Sequence, residues 1–80
     1  MTVKDLIKDK NYGYISWRVT LPEKAGGGDT FFGLCKSLNG ELISLDGDTY
    51  DEDSEVMWYK EWTADDFKPG LTVVVKGEWI

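Results

Sequence analysis

The chain has no histidine, one cysteine, two prolines and no apolar run approaching the length of a membrane span. Without histidine it lacks the commonest general base near neutral pH and the commonest neutral metal ligand. A lone cysteine, Cys35, excludes a disulfide framework within the chain. Spanning a bilayer as a helix takes about 20 consecutive apolar residues, so no membrane partner is expected. The first ten residues, MTVKDLIKDK, put charges where a signal peptide carries its apolar stretch. Together these absences describe a reduced, cytoplasmic protein. The two prolines, Pro22 and Pro69, fall between apolar segments, where they punctuate the fold without breaking it.

What is present is a dense set of aromatics: four Trp, four Tyr and three Phe among 80 residues. A buried ring removes roughly 150–250 Å² from water, so a few supply most of a small core. Residues 1–80 are therefore read as one domain, near the lower limit for a core that folds unaided.

The net charge of −6 is unevenly placed. Residues 1–40 carry six bases and four acids, whereas residues 41–80 carry three bases and eleven acids. Asp46 to Glu55, DGDTYDEDSE, holds six acids and no base, so this window equals the whole net charge. Such a surface repels phosphates, and no nucleic-acid partner is expected. A basic protein surface is the electrostatically favoured partner.

Along the chain, Thr2 and Asp5 have capping-box spacing and open a short helix over 2–10, with Val3, Leu6 and Ile7 as its apolar stripe. From 12 onward the pattern is β. Ile15, Trp17, Val19 and Leu21 alternate with Tyr14, Ser16, Arg18 and Thr20, the pattern of a strand with one buried face. Gly26-Gly27-Gly28 lies in a loop; no Gly-Lys-Ser/Thr follows, so it is no phosphate cradle. Asn39-Gly40 is the preferred pair for a type I′ hairpin turn. It sets Leu38 opposite Glu41, Lys36 opposite Ile43 and Leu34 opposite Leu45, with Phe32 on that same apolar-rich face. The other face, with Cys35, Ser37, Leu42 and Ser44, is mixed and awaits either solvent or the helix. Val56–Trp62 is rich in β-formers and reads as a strand with Val56, Trp58, Lys60 and Trp62 on one side, the alternative being a helix that begins near Asp51 with acids in its first turn. A helical turn near 63–67, a type II turn at Pro69-Gly70 and a last strand over 71–80 complete the chain. The expected fold is α+β, mostly β: about five antiparallel strands in a curled meander or small partly open barrel, with a short N-terminal helix.

For function, no constellation of catalytic residues stands out, no cofactor is implied, and a non-enzymatic binding or inhibitory module is expected. Its protein-binding residues are Asp48, Tyr50, Asp51, Glu52, Asp53, Glu55 and Trp58: acids around aromatic anchors, the composition of a protein interface. One form of this role is imitation of a nucleic-acid phosphate array. The alternatives are a Ca²⁺ or Mg²⁺ site using Asp46, Asp48, Asp51 and Asp53, or a loop that only solubilises. The EF-hand pattern fails, since Tyr50, Asp51 and Met57 occupy positions that need a polar ligand, glycine and glutamate. Tyr12, Tyr14 and Arg18 form a smaller aromatic-basic patch of the kind that stacks bases, opposed by the overall charge.

Overall fold

The computed structural model describes residues 1–63 and 69–77. Within them lie an α-helix, α1 (Val3–Ile7), a single 3-10 turn at Glu23–Ala25, and five strands: β1 (Tyr14–Thr20), β2 (Asp29–Leu38), β3 (Glu41–Ser44), β4 (Val56–Trp62) and β5 (Gly70–Val75). The strands make one sheet in the order β3-β2-β1-β5-β4. The sheet is mixed and open. β1 runs antiparallel to β2 but parallel to β5, which corrects the expected all-antiparallel meander or barrel. The chain reaches β5 only after the β2-β3 hairpin, the acidic loop and β4, and this long crossover lets β5 enter beside β1 in the same direction.

The helix begins as its capping box requires. The Asp5 amide donates to Thr2 Oγ1 at 3.3 Å and the Thr2 amide to Asp5 Oδ2 at 3.1 Å. Five residues are too few to be stable alone; Val3, Leu6 and Ile7 are buried against Ile15, Trp17 and Leu71 in the single core. The helix stops at Ile7, short of the expected Lys10, where Asp9 turns to a φ of 58°.

The β2-β3 register follows the turn: Asn39 and Gly40 have φ of 53° and 81°, and Leu38–Glu41 and Lys36–Ile43 are opposite pairs. The buried face is the mixed one, because α1 covers it. Cys35 and Ser37 are buried there, while Leu38 and Leu45 on the apolar-rich face are about half exposed. Phe32 does not join them. A bulge between Trp17 and Arg18 sets Trp17 opposite Gly33 and Arg18 opposite Phe31, and the extra residue, Phe32, packs its ring on Tyr50. A second irregularity at Met57 separates Val56, partly buried against the core, from Trp58, which is paired with Val74 on the other side. Trp58, Lys60 and Trp62 thus share a face without Val56.

Tyr12 also departs from its expected place. It lies ahead of β1, only 2% exposed, with its amide donating to Ser37 Oγ at 2.9 Å and its hydroxyl to Glu61. Burial, with this bond to Glu61, pushes its phenol up to about 12. Gly70 has no positive φ and opens β5, so Pro69-Gly70 is not a type II turn. Glycine is required there for another reason: a Cβ would come within 2.6 Å of the Trp62 indole, which lies over it. The helical turn near 63–67 and the end of the last strand lie outside the described residues, apart from Thr63 and Lys76-Gly77, which are in neither helix nor strand.

Candidate functional site

The acidic loop is built around one carboxylate. Asp46 accepts four hydrogen bonds: from the Tyr50 hydroxyl (2.6 Å) and Leu34 amide (3.0 Å) on Oδ2, and from the Asp48 amide (3.1 Å) and Ser44 hydroxyl (3.2 Å) on Oδ1. These donors, the Tyr50 hydroxyl foremost, hold its pKa down at about 2. Burial and the neighbouring carboxylate push the Tyr50 phenol well above its usual range. Both oxygens being engaged inside the protein, Asp46 has little left to offer a cation. Among the described residues no three metal-ligating side chains converge.

Tyr50 is held as tightly as Asp46. Its ring sits 5.1 Å from that of Trp17 and meets Phe32 edge-on at 5.6 Å. Beyond it the backbone is tied to α1: the Lys4 amide donates to Glu52 O (2.8 Å) and the Val3 amide to Ser54 O (3.0 Å). Thr2 and Glu55 form an isolated bridge, and Glu55 O accepts from Lys76 (3.0 Å). The loop, expected as a charged binding surface or a solubilising segment, is a strap tied to α1 and to Lys76 after β5.

Between strap and sheet runs an open groove of about 680 Å³. Trp17, Val19, Phe32 and Val75 supply apolar walls; Tyr50, Asp51, Asp53 and Glu55 line it from the strap, and Lys76 and Gly77 from the end of β5. Three of the expected acids and Tyr50 are therefore brought together. Asp48 and Glu52 belong to the strap but do not line the groove, and Trp58 is on the opposite face of the sheet. The described ion pairs are Lys10–Glu61 at 2.8 Å and Arg18–Asp29 at 3.4 Å, so the strap acids have no cationic partner among the described residues. Trp17, Val19, Phe32, Val75 and Lys76 are among the lining residues that sequence reasoning missed, and the two rings matter most for a cation. Gly33, a glycine inside a strand, was the available signal, since such a residue marks a bulge or a close approach; a Cβ on it would overlap the Tyr50 hydroxyl and the Asp46 carboxylate.

Chemically, the described lining of the groove can hold a cation against carboxylates and ring faces. Cys35 is fully buried on the core side of β2, and desolvation, with a lesser effect of Asp46, pushes its thiol up to about 12. It stays protonated and inert at neutral pH.

The same groups define a pH response. Asp46 titrates lower in the folded than in the unfolded chain, where an aspartate has a pKa of about 3.9; Asp5 and Glu61 shift in the same direction. Their contribution to stability is complete above the unfolded values and is lost as pH falls through the folded ones. Tyr12, Tyr50 and Cys35 are raised, so their contribution is complete below the unfolded values and lost as pH rises through the folded ones. Melting temperature is expected to be level from about pH 5 to 8, to fall between about 4 and 2, and to fall again above about 9. In Asp46→Asn the acid decline should be shallower and the neutral-pH midpoint lower, as read by circular dichroism across pH.

No protein family, curated protein or solved structure matches the chain.

Proposed function

We propose that the protein is a small non-enzymatic binding or inhibitory module that takes a basic segment of a partner protein into the strap groove. The observation that carries this reading is that Asp51, Asp53 and Glu55 line one groove together with Phe32 and Tyr50, three acids against the one base, Lys76, in its described lining. A lysine or arginine side chain entering there meets carboxylates at the rim and an aromatic face beneath. A cation over a ring is worth about 0.5–2 kcal/mol, depending on how far it is desolvated. Because the strap backbone is already tied to α1 and β5, little ordering entropy remains to be lost on binding. Asp48 and Glu52 add long-range attraction that speeds encounter without direct contact.

The probe is a fluorescein-labelled octapeptide of alternating arginine and glycine, with a glutamate-glycine octapeptide as control. The arginine peptide should bind, and its affinity should fall steeply between low and physiological salt. Changing Asp48, Asp51, Glu52, Asp53 and Glu55 together to Asn or Gln should weaken it at least tenfold and flatten the salt dependence. Phe32→Ala, which leaves every charge in place, should weaken it about twofold to thirtyfold, the range that a cation–ring contact of this strength implies. Equal affinity of the wild type and the five-acid variant would leave the loop with a solubilising role only.

A further inference from the structure

We infer that Asn39 is a site of self-modification: the Gly40 amide nitrogen displaces ammonia from the Asn39 side chain, and water then opens the resulting ring to aspartate and isoaspartate. The inference is independent of the groove and of what the groove binds.

The chemistry needs a side-chain carbonyl free to be attacked, a following backbone nitrogen free to attack it, and room for the two to meet. A following glycine supplies the room, having no side chain to block the approach. Two glycines in the chain follow Asn or Asp: Gly40 after Asn39 and Gly47 after Asp46. The fold separates them.

Asn39 is exposed at the tip of the β2-β3 hairpin, and its side-chain amide makes no described hydrogen bond. Only its backbone amide is held, donating to Asn11 Oδ1 at 2.7 Å. The ladder ends at the Leu38–Glu41 pair, so the Gly40 amide lies outside it, and a Cβ built on Gly40 would meet nothing within 4 Å. To reach Asn39 Cγ, the Asn39–Gly40 peptide unit must swing out of its positive-φ turn. That movement breaks the Asn11 bond and loosens the last ladder pair. A hairpin tip is among the first parts of a fold to open in this way.

Asp46-Gly47 has the same spacing without the freedom. Both Asp46 oxygens accept hydrogen bonds within the protein, from the Tyr50 hydroxyl, the Leu34 and Asp48 amides and the Ser44 hydroxyl. The nitrogen that would attack is held too, since the Gly47 amide donates to Ser44 Oγ at 2.9 Å. Asn11, the other asparagine, precedes the buried Tyr12, whose amide is committed to Ser37 Oγ. Of the three candidates only Asn39 is left to react.

The bonds balance with water as the one co-reactant. The Gly40 N–H gives its proton to solvent base as the bond from nitrogen to Asn39 Cγ forms; the Cγ–Nδ2 bond breaks and ammonia leaves a succinimide ring. Water cleaving the ring at Cγ yields aspartate in an ordinary chain. Cleavage at the backbone carbonyl yields isoaspartate, with the main chain rerouted through Cβ and Cγ. Either product adds a negative charge near Glu41. Isoaspartate also lengthens the main chain by one carbon, so the two-residue type I′ turn no longer fits. Because that turn sets the register of the hairpin, β3 loses what aligns it on Lys36 and Leu38.

The full chain, held at pH 8.5 and 37 °C, is digested with trypsin at intervals. The peptide Ser37–Lys60 carries both Asn39 and Asp46, and electron-transfer tandem mass spectrometry tells aspartate from isoaspartate at each. The same peptide aged free in solution supplies the reference rates. Folding should slow conversion of Asn39 by no more than about thirtyfold, since opening a hairpin tip takes little free energy, and should slow isoaspartate formation at Asp46 by a larger factor. In the aged chain, hydrogen exchange should be faster at the amides of the β2-β3 ladder and unchanged in β1 and β5. Slowing of Asn39 beyond that factor overturns the proposal, as does slowing at Asp46 that is no greater than at Asn39. Conversion to aspartate with no isoaspartate also overturns it, because the Gly40 nitrogen would then have taken no part. An isoaspartate-bearing chain with its ladder amides as protected as before would sink the claimed loss of register.

Discussion

Leu71→Ala is expected to lower the stability of the fold by about 3 kcal/mol, within the 2–5 kcal/mol that truncating a buried leucine costs. Leu71 is fully buried at the second position of β5, level with Ile15 of β1 and Glu61 of β4. Because β5 is held by β1 on one side and β4 on the other, neither the backbone nor its neighbours can close readily over the cavity. A domain of 80 residues has about 4–12 kcal/mol in hand, so this one change removes a quarter or more of it. The melting midpoint should fall by about 10–25 °C. In urea, the midpoint should drop while the slope of free energy against denaturant stays the same, since the surface exposed on unfolding is nearly unchanged. Leu42→Ala, at a partly buried position on β3, should cost clearly less.

Leu71 also shows what in this fold is legible without coordinates. Its strand is apolar on both faces in sequence, as an interior strand should be, and β5 lies between β1 and the edge strand β4. Its direction relative to β1 was not legible, because pairing across more than 50 residues leaves no local trace. The hairpin at Asn39-Gly40 was the opposite case: two residues with positive φ set the register, and the expected pairs Leu38–Glu41 and Lys36–Ile43 are in place. Alternation then failed at Phe32 and at Met57. At each a bulge adds one residue to one strand, and the residues on both sides keep a plausible period of two. The face buried in β2 and β3 could not be chosen from composition either, since burial depends on where α1 and Tyr50 settle. A hairpin can therefore leave the more apolar of its two sides the more exposed, as Leu38 and Leu45 are here.

The acid window was legible as charge but not as architecture. Nothing in DGDTYDEDSE distinguishes Asp46, which accepts four internal hydrogen bonds, from Asp48, whose carboxylate makes none that is described. Nor does the spacing reveal that Tyr50 points inward to Trp17 while Trp58 occupies the other face. Local sequence therefore indicates that the segment is charged, whereas the bulge in β2 determines what that charge stands over.

Gly33→Ala should separate the strap from the rest of the fold. Gly33 is buried in β2 opposite Trp17, and its φ is not positive, so alanine suits the backbone. The conflict is with the side chains above it: the new methyl overlaps the Tyr50 hydroxyl and the Asp46 carboxylate. Tyr50 has little room to retreat, being wedged between Trp17 and Phe32. The hydroxyl must leave Asp46, and the Leu34 amide bond to the same oxygen is strained with it. Overpacking of this kind costs about 1–3 kcal/mol, less than Leu71→Ala, but the effect on binding should be larger. With Tyr50 displaced, the strap no longer holds Asp51, Asp53 and Glu55 over Phe32, and affinity for the arginine peptide should fall at least tenfold although no charge has changed. Hydrogen exchange provides the local readout: faster exchange of the amides of Asp48, which donates to Asp46, and Lys4, which donates to Glu52 O, with β1 and β5 protected as before. If binding persisted while those amides opened, the carboxylates would be acting as a diffuse charge and the groove would not be the recognition element.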